Sequence, residues 1–253
     1  MKTKHILATL AALTFPLAAA SGTLKEKGRA LSTAHKDSTL FVSAVVNIEL
    51  TAGSNPTQKE EKKVEIISTV LTKEGLIVAP LSTLDLANAM DGRTVNTQSG
   101  PMKISAKSDI KEVKIIMPDG SETDAKVVLK DADLDLIFLK PEKPATNFTP
   151  IDTKNSAPLA LLDDVIVLGR MNKELNREPM VVTGELISVI NKPRLFGKIT
   201  APATGMPVFN DEGKFLGIGI NRLSSKSSGE GNLTGAAVLL PAADILESAS
   251  QVK

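Results

Sequence analysis

The sequence predicts an all-β fold of two barrels or sandwiches, closed by one short C-terminal helix. Three observations predict it. Short runs rich in Val, Ile, Leu and Phe recur along the whole chain, turn residues separate them, and a single helix-period stretch falls at the end. Periodicity alone leaves the choice between barrels and sandwiches open.

The elements follow in order. Residues 1–20 read as a secretory leader: a basic head (Lys2, Lys4), an apolar run from Ile6 to Ala19, and small residues Ala18-Ala19-Ala20 before Ser21. No Cys follows them, which excludes a lipid-anchored lipoprotein. Cleavage near Ala20 leaves a secreted or periplasmic protein with no membrane anchor in its mature part. Residues 21–38 form a polar leading arm, either a short helix or a loose segment. Leu40–Leu50 and Val64–Leu71 are strand patterns, and Thr51 to Lys63, with Gly-Ser-Asn-Pro and a charged cluster, reads as an exposed hairpin loop. Further strands are predicted at Leu76–Ala79, Val113–Met117, Ala125–Leu129 and Leu136–Leu139. Between two of them, Pro118-Asp119-Gly120-Ser121 has the chemistry of a tight turn. Pro141 to Pro150 holds three prolines and reads as the connection between an N-terminal β unit (39–145) and a C-terminal one (146–253). The second unit carries strand patterns at Val165–Leu168, Val181–Ile190, Lys198–Thr200, Val208–Phe209, Phe215–Ile220 and Ala236–Leu240. Its last segment, Pro241 to Val252, places Ala, Ile and Leu on one helix face behind a proline start.

Composition narrows the function. Apolar residues make up 42% and charged residues 23%, an ordinary globular balance, and the formal charge of +1 gives no pull toward a polyanion. With no Trp or Tyr there is no stacking platform for single-stranded nucleic acid. The absence of Cys removes disulfides, thiol nucleophiles and thiolate metal sites. Gly217-Ile218-Gly219 lacks the third glycine of a dinucleotide fingerprint and reads as a strand packed closely on a neighbour. No His or carboxylate cluster has metal-ligand spacing, so no cofactor or metal is expected.

Four fragments, in order, resemble the protease domain of the HtrA/Deg family of secreted trypsin-like serine peptidases. They are Thr72-Lys73-Glu74-Gly75-Leu76-Ile77-Val78-Ala79; Met117-Pro118-Asp119-Gly120-Ser121 running on to Asp131-Ala132-Asp133-Leu134-Asp135-Leu136; Thr200-Ala201-Pro202-Ala203-Thr204-Gly205-Met206-Pro207-Val208-Phe209-Asn210-Asp211-Glu212-Gly213; and Gly235-Ala236-Ala237-Val238-Leu239-Leu240-Pro241. The resemblance covers most of residues 40–248. It implies a trypsin-like double six-stranded β-barrel, one peptidase domain with its cleft between the barrels. It also implies the absence of the peptide-binding PDZ module that many relatives carry.

Carried over residue by residue, the resemblance places the triad at Ser82, Asp135 and Thr204, and the oxyanion donors at Pro202 and Thr204. Asp135 reads either as the triad acid or as a strand-end carboxylate beside Asp131 and Asp133; its Leu-Asp-Leu context and the following strand favour the first. Ser82 stands where the family has its histidine, and a serine hydroxyl has no basicity near neutral pH. Thr204 stands where the family has serine, retaining the hydroxyl beside an extra methyl group. In a subtilisin-type triad, loss of the serine or the histidine lowers turnover about 10⁶-fold, roughly 8 kcal/mol. Pro202 has no N–H with which to bind an oxyanion, a loss of about 3 kcal/mol where the rest of the site is intact. Besides His5 in the leader, the only histidine is His35, read either as a relocated base or as an exposed residue of the arm. The expectation is a catalytically inactive homologue whose cleft binds extended polypeptide segments as an added strand. Two alternatives stay open: a divergent endopeptidase acting through Thr204, and a structural secreted β-protein without a ligand.

Overall fold

The computed structural model describes residues 22–252 except 86, 88–89, 98–99, 146 and 224–234. The leader expected over residues 1–20 lies outside the described residues. Two closed six-stranded antiparallel barrels account for nearly all the strands. The first contains β1 (Thr39–Ala52), β2 (Gln58–Val70), β3 (Ile77–Pro80), β5 (Gly100–Ile116), β6 (Glu122–Asp131) and β7 (Leu136–Pro141), closed by pairing of β1 with β5. A short strand, β4 (Thr94–Thr97), is added to β5 outside the closure. The second contains β8 (Asp164–Arg170), β9 (Pro179–Ile190), β10 (Phe196–Ile199), β11 (Pro207–Asn210), β12 (Phe215–Leu223) and β13 (Gly235–Pro241). Helix α1 (Leu24–His35) precedes the first barrel, and α2 (Ala242–Ala249) follows the second. Among the described residues no helix is long and apolar enough to cross a membrane.

Continuous apolar runs become strands here because both of their faces are buried. Along β7, Ile137 and Leu139 point into the first barrel, while Leu136 and Phe138 join a second cluster shared with the other barrel. Along β8, Val165 and Val167 fill the second barrel, while Ile166 and Leu168 meet that same shared cluster. Each wall strand therefore serves two cores. Full burial of a side chain such as Phe138 contributes about 1.5–3 kcal/mol. The shared cluster holds the barrels against each other and positions everything at their junction.

Two sequence expectations are corrected in detail, and one short strand carries no sequence signal. The segment read as a hairpin loop from Thr51 to Lys63 is mostly strand, with only residues 53–57 between β1 and β2. Its charged residues are compatible with strand because every residue of β2 from Gln58 to Lys63 is exposed. The strand predicted at Val113–Met117 begins much earlier, at Gly100, where small and polar residues hide an alternating pattern: Ile104 and Ala106 are buried while Lys103, Ser105 and Lys107 are exposed. β4, Thr-Val-Asn-Thr, has no apolar alternation to mark it as a strand.

The leading arm takes the helical alternative. Thr23 caps α1 in a reciprocal box with Glu26, whose carboxylate accepts from the Thr23 amide at 2.7 Å. Lys27 pairs with Asp211 of the second barrel at 2.8 Å. At the junction of α1 with β1, Arg170 of β8 is buried and donates to the carbonyls of Thr39 (2.5 Å), Lys36 (3.0 Å) and Arg177 (3.0 Å) and to Asp37 (2.8 Å). One guanidinium thus ties the arm, the first strand and the β8–β9 loop into one knot, as its planar fork of donors allows. Arg170→Leu leaves these acceptors unpaired and is expected to lower unfolding free energy in urea by about 3 kcal/mol. Arg170→Lys, with a single point charge, should recover only part of it. A loss below about 1 kcal/mol for the leucine variant would contradict this role.

Candidate functional site

Antiparallel pairing of β3 with β7 sets Pro80 opposite Leu136, so Ser82, two residues past β3, meets Asp135, the residue just before β7. The ladder continues with the Leu81 amide donating to the Asp135 carbonyl at 2.9 Å. Ser82 then bonds the carboxylate twice: its amide donates to Oδ1 at 2.6 Å and its hydroxyl to Oδ2 at 3.0 Å. From the other barrel, the Asn221 amide on β12 donates to the same Oδ2 at 3.0 Å, and the Asn221 side chain reaches the Ser82 hydroxyl at 3.4 Å. Asp135 adopts a left-handed backbone, φ 57°, which Asp tolerates better than most residues. The aspartate is thus placed at the barrel junction, partnered by a hydroxyl and two amides.

Thr204 lies on the loop between β10 and β11. It bridges Gly219, two residues from Asn221 on β12, and is half-buried. Among the described residues no hydrogen bond joins it to Ser82 or Asp135. Its loop is nonetheless tightly seated. Gly205 has φ 75°, and a Cβ there would collide with the Ile67 carbonyl of β2. Only glycine satisfies both conditions. The buried Thr69 hydroxyl donates to the Gly205 carbonyl at 3.0 Å, locking the loop to the first barrel.

The amides around Thr204 are largely engaged within the protein. Gly205 donates to Gly219 at 2.8 Å and Met206 to Ala203 at 2.8 Å, while Pro202, which is exposed, has no N–H. His35 is not the exposed residue of the arm, and among the described residues no hydrogen bond joins it to Ser82, Asp135 or Thr204. It ends α1 half-buried, with its ring stacked on Phe209 at 5.9 Å. Gly217 and Gly219 follow the expectation of close approach: a Cβ would strike Leu240 in one case and Ala203 in the other.

Sequence reasoning missed Asn221 and Arg222. Asn221 acts on Asp135 through its backbone amide, which has no signature in a sequence. Arg222 sits over the Phe196 ring at 4.9 Å and reaches the Asp133 carbonyl at 3.5 Å. Among the described residues no group of three or more His, Asp or Glu side chains could hold a metal ion.

Burial pushes the Asp135 carboxyl above its ordinary value of 3.8, outweighing the lowering by the Ser82 and Asn221 amides, the Ser82 hydroxyl and the Arg222 charge. Both carboxyl oxygens already accept bonds from protein donors. What the arrangement can do chemically is hold a carboxylate and a hydroxyl rigidly. Among the described residues no imidazole contacts either of them.

A family model described as a trypsin-like peptidase domain matches residues 71–218, a span that includes Ser82, Asp135 and Thr204. No curated protein matches the chain. Among solved structures, the apo form of the MamO protease domain from Magnetospirillum magneticum is similar, with a TM-score of 0.50 and 15% identity over 85% of this chain and 96% of that one. At that identity the likeness is one of fold.

The raised carboxyl predicts a pH dependence. The folded protein holds the Asp135 proton more tightly than the unfolded chain does, so this group's contribution to stability falls as pH rises from 3.8 through the folded value. Other carboxylates titrate alike in wild type and Asp135→Asn. The difference in unfolding free energy, wild type minus variant, should therefore decline across that acid window and level off above it. Urea unfolding at a series of acid pH values reads this directly, and a difference that climbs with pH would refute the assignment.

Proposed function

Because this chain belongs to the trypsin-like peptidase domain family, we propose that it is an exported, secreted or periplasmic, pseudoprotease that binds extended polypeptide segments without cleaving them. The observation that carries the reading is the Ser82 hydroxyl bonded to Asp135 at 3.0 Å, in the place where a triad has its imidazole. With no imidazole there, nothing deprotonates the Thr204 hydroxyl and nothing protonates a leaving amine. Loss of the base in a triad amounts to about 8 kcal/mol of barrier. Pro202, without an N–H, removes one of the two oxyanion donors in addition, though such losses do not sum.

Binding survives loss of chemistry because it relies on backbone. From Ile220 to Leu223, β12 pairs with β13 along one edge. Beyond the Thr204–Gly219 bridge, its other edge has no strand partner among the described residues. That open edge runs along the junction beside Asp135, where an extended polypeptide can add as a strand, its main chain supplying affinity and its side chains selectivity. Export is the reading supported by the basic head, apolar run and small residues at the start of the sequence.

One experiment tests the reading. A fluorophosphonate probe and a denatured protein substrate are offered to wild type and to Thr204→Ala. The account predicts no covalent labelling, no cleavage, and retention of the unfolded polypeptide by both proteins alike. Stoichiometric labelling or cleavage that disappears in Thr204→Ala would establish a working threonine nucleophile and end the pseudoprotease reading.

A further inference from the structure

A long open strand edge lies away from the Asp135 junction. β2 pairs with β1 from Gln58 to Thr69 but with β3 only at Thr69 and Val70. From Gln58 to Ile66 its outer edge has no strand partner among the described residues, while at Ile67 it is covered by Gly205. Gln58 to Lys63 are exposed, with the Lys59 side chain 72% accessible.

The order of charges along this edge is specific. Ile66 and Val70 point into the first barrel, so Lys59, Glu61, Lys63 and Glu65 share the opposite face, alternating in sign. Charged edges ordinarily prevent edge-to-edge association. Here the alternation does the reverse in one register. A two-fold axis perpendicular to the sheet keeps each side chain on its own face, so two copies of β2 pair antiparallel about a central residue. With the axis at Lys62, Glu61 meets Lys63 of the second copy and Lys59 meets its Glu65, and symmetry doubles both pairs. With the axis at Glu61, Lys59 meets Lys63, and with the axis at Lys63, Glu61 meets Glu65, so the neighbouring registers set like charges together.

On the other face, the Lys62 register brings two lysines together at the axis, and each is flanked by its own Glu60, at 3.4 Å in this chain. Lys59 and Glu65 also have partners within the chain, Glu49 at 2.6 Å and Arg177 at 2.8 Å. Glu61 and Lys63 form no salt bridge with any described residue, so the inner pairs carry the complementarity.

We propose that β2 is the interface of a symmetric homodimer, formed by antiparallel pairing of two β2 edges about Lys62 and continuing the sheet from one copy into the other. The partner is a second copy of this chain because the edge is complementary to itself. The interface is independent of the Asp135 junction.

The test is sedimentation velocity on the full chain at micromolar concentration in low salt. Wild type is expected to be dimeric and to weaken at high salt. Lys63→Glu and Glu61→Lys each turn two attractive pairs repulsive and should raise the dimer dissociation constant about tenfold or more. The double variant Glu61→Lys/Lys63→Glu restores opposite signs in the same register and should recover the wild-type constant. Monomeric wild type, a different oligomer, single variants that associate as tightly as wild type, or a double variant that stays weak would each overturn the proposal.

Discussion

The carboxylate of Asp135 is the point on which the centre of this molecule depends. It lies just before β7, accepts from Ser82 of its own barrel, and accepts from Asn221 of the other. Taking a carboxyl out of water is unfavourable, as its raised pKa records. What makes the burial tolerable is the full set of donors around it. Removing those donors one by one would leave a desolvated charge, so the network behaves as a unit. Ser82 fits because its amide and hydroxyl reach both oxygens from one residue, in a space where a triad holds an imidazole by a single N–H.

The surrounding frame persists for reasons of packing rather than chemistry. Gly205 is required by its positive φ and by the Ile67 carbonyl against it, and Thr69 fastens the same loop from below. Gly219 is required by the approach of Ala203. These contacts join two barrels whose shared cluster includes Phe138, Phe209 and Phe215. A loop so constrained keeps its shape whether or not a proton moves through it. The frame of the loop around Thr204 is therefore required by the packing of the two barrels.

The legible parts of the sequence were those with a strong local signal. Leu136–Leu139 and Val165–Leu168 are apolar throughout because each faces two cores, and the Pro118-Asp119-Gly120 turn marks the β5–β6 hairpin. Ser82 and Asp135 were placed together by the resemblance and are bonded in the structure. Other features had no such signal. The first half of β5 alternates Ile and Ala with Lys and Ser, too weak a contrast to read as a strand. The Lys and Glu residues of β2 suit a solvated edge as well as a loop. Asn221 contributes a main-chain N–H, and the burial of His35 against Phe209 depends on how α1 docks. Neither is a local property of the chain.

The account stands on the Ser82 hydroxyl being the side-chain partner of Asp135, and a double-mutant cycle between Ser82→Ala and Asp135→Ala measures that bond most directly. The cycle cancels the separate penalty of placing Ala at the left-handed backbone of residue 135. With the hydroxyl donating to a charged carboxylate at 3.0 Å, a coupling of about 1–2 kcal/mol in unfolding free energy at neutral pH is predicted. Coupling indistinguishable from zero would mean that the two side chains act independently, and the reading of this junction as a closed, non-catalytic network would be wrong.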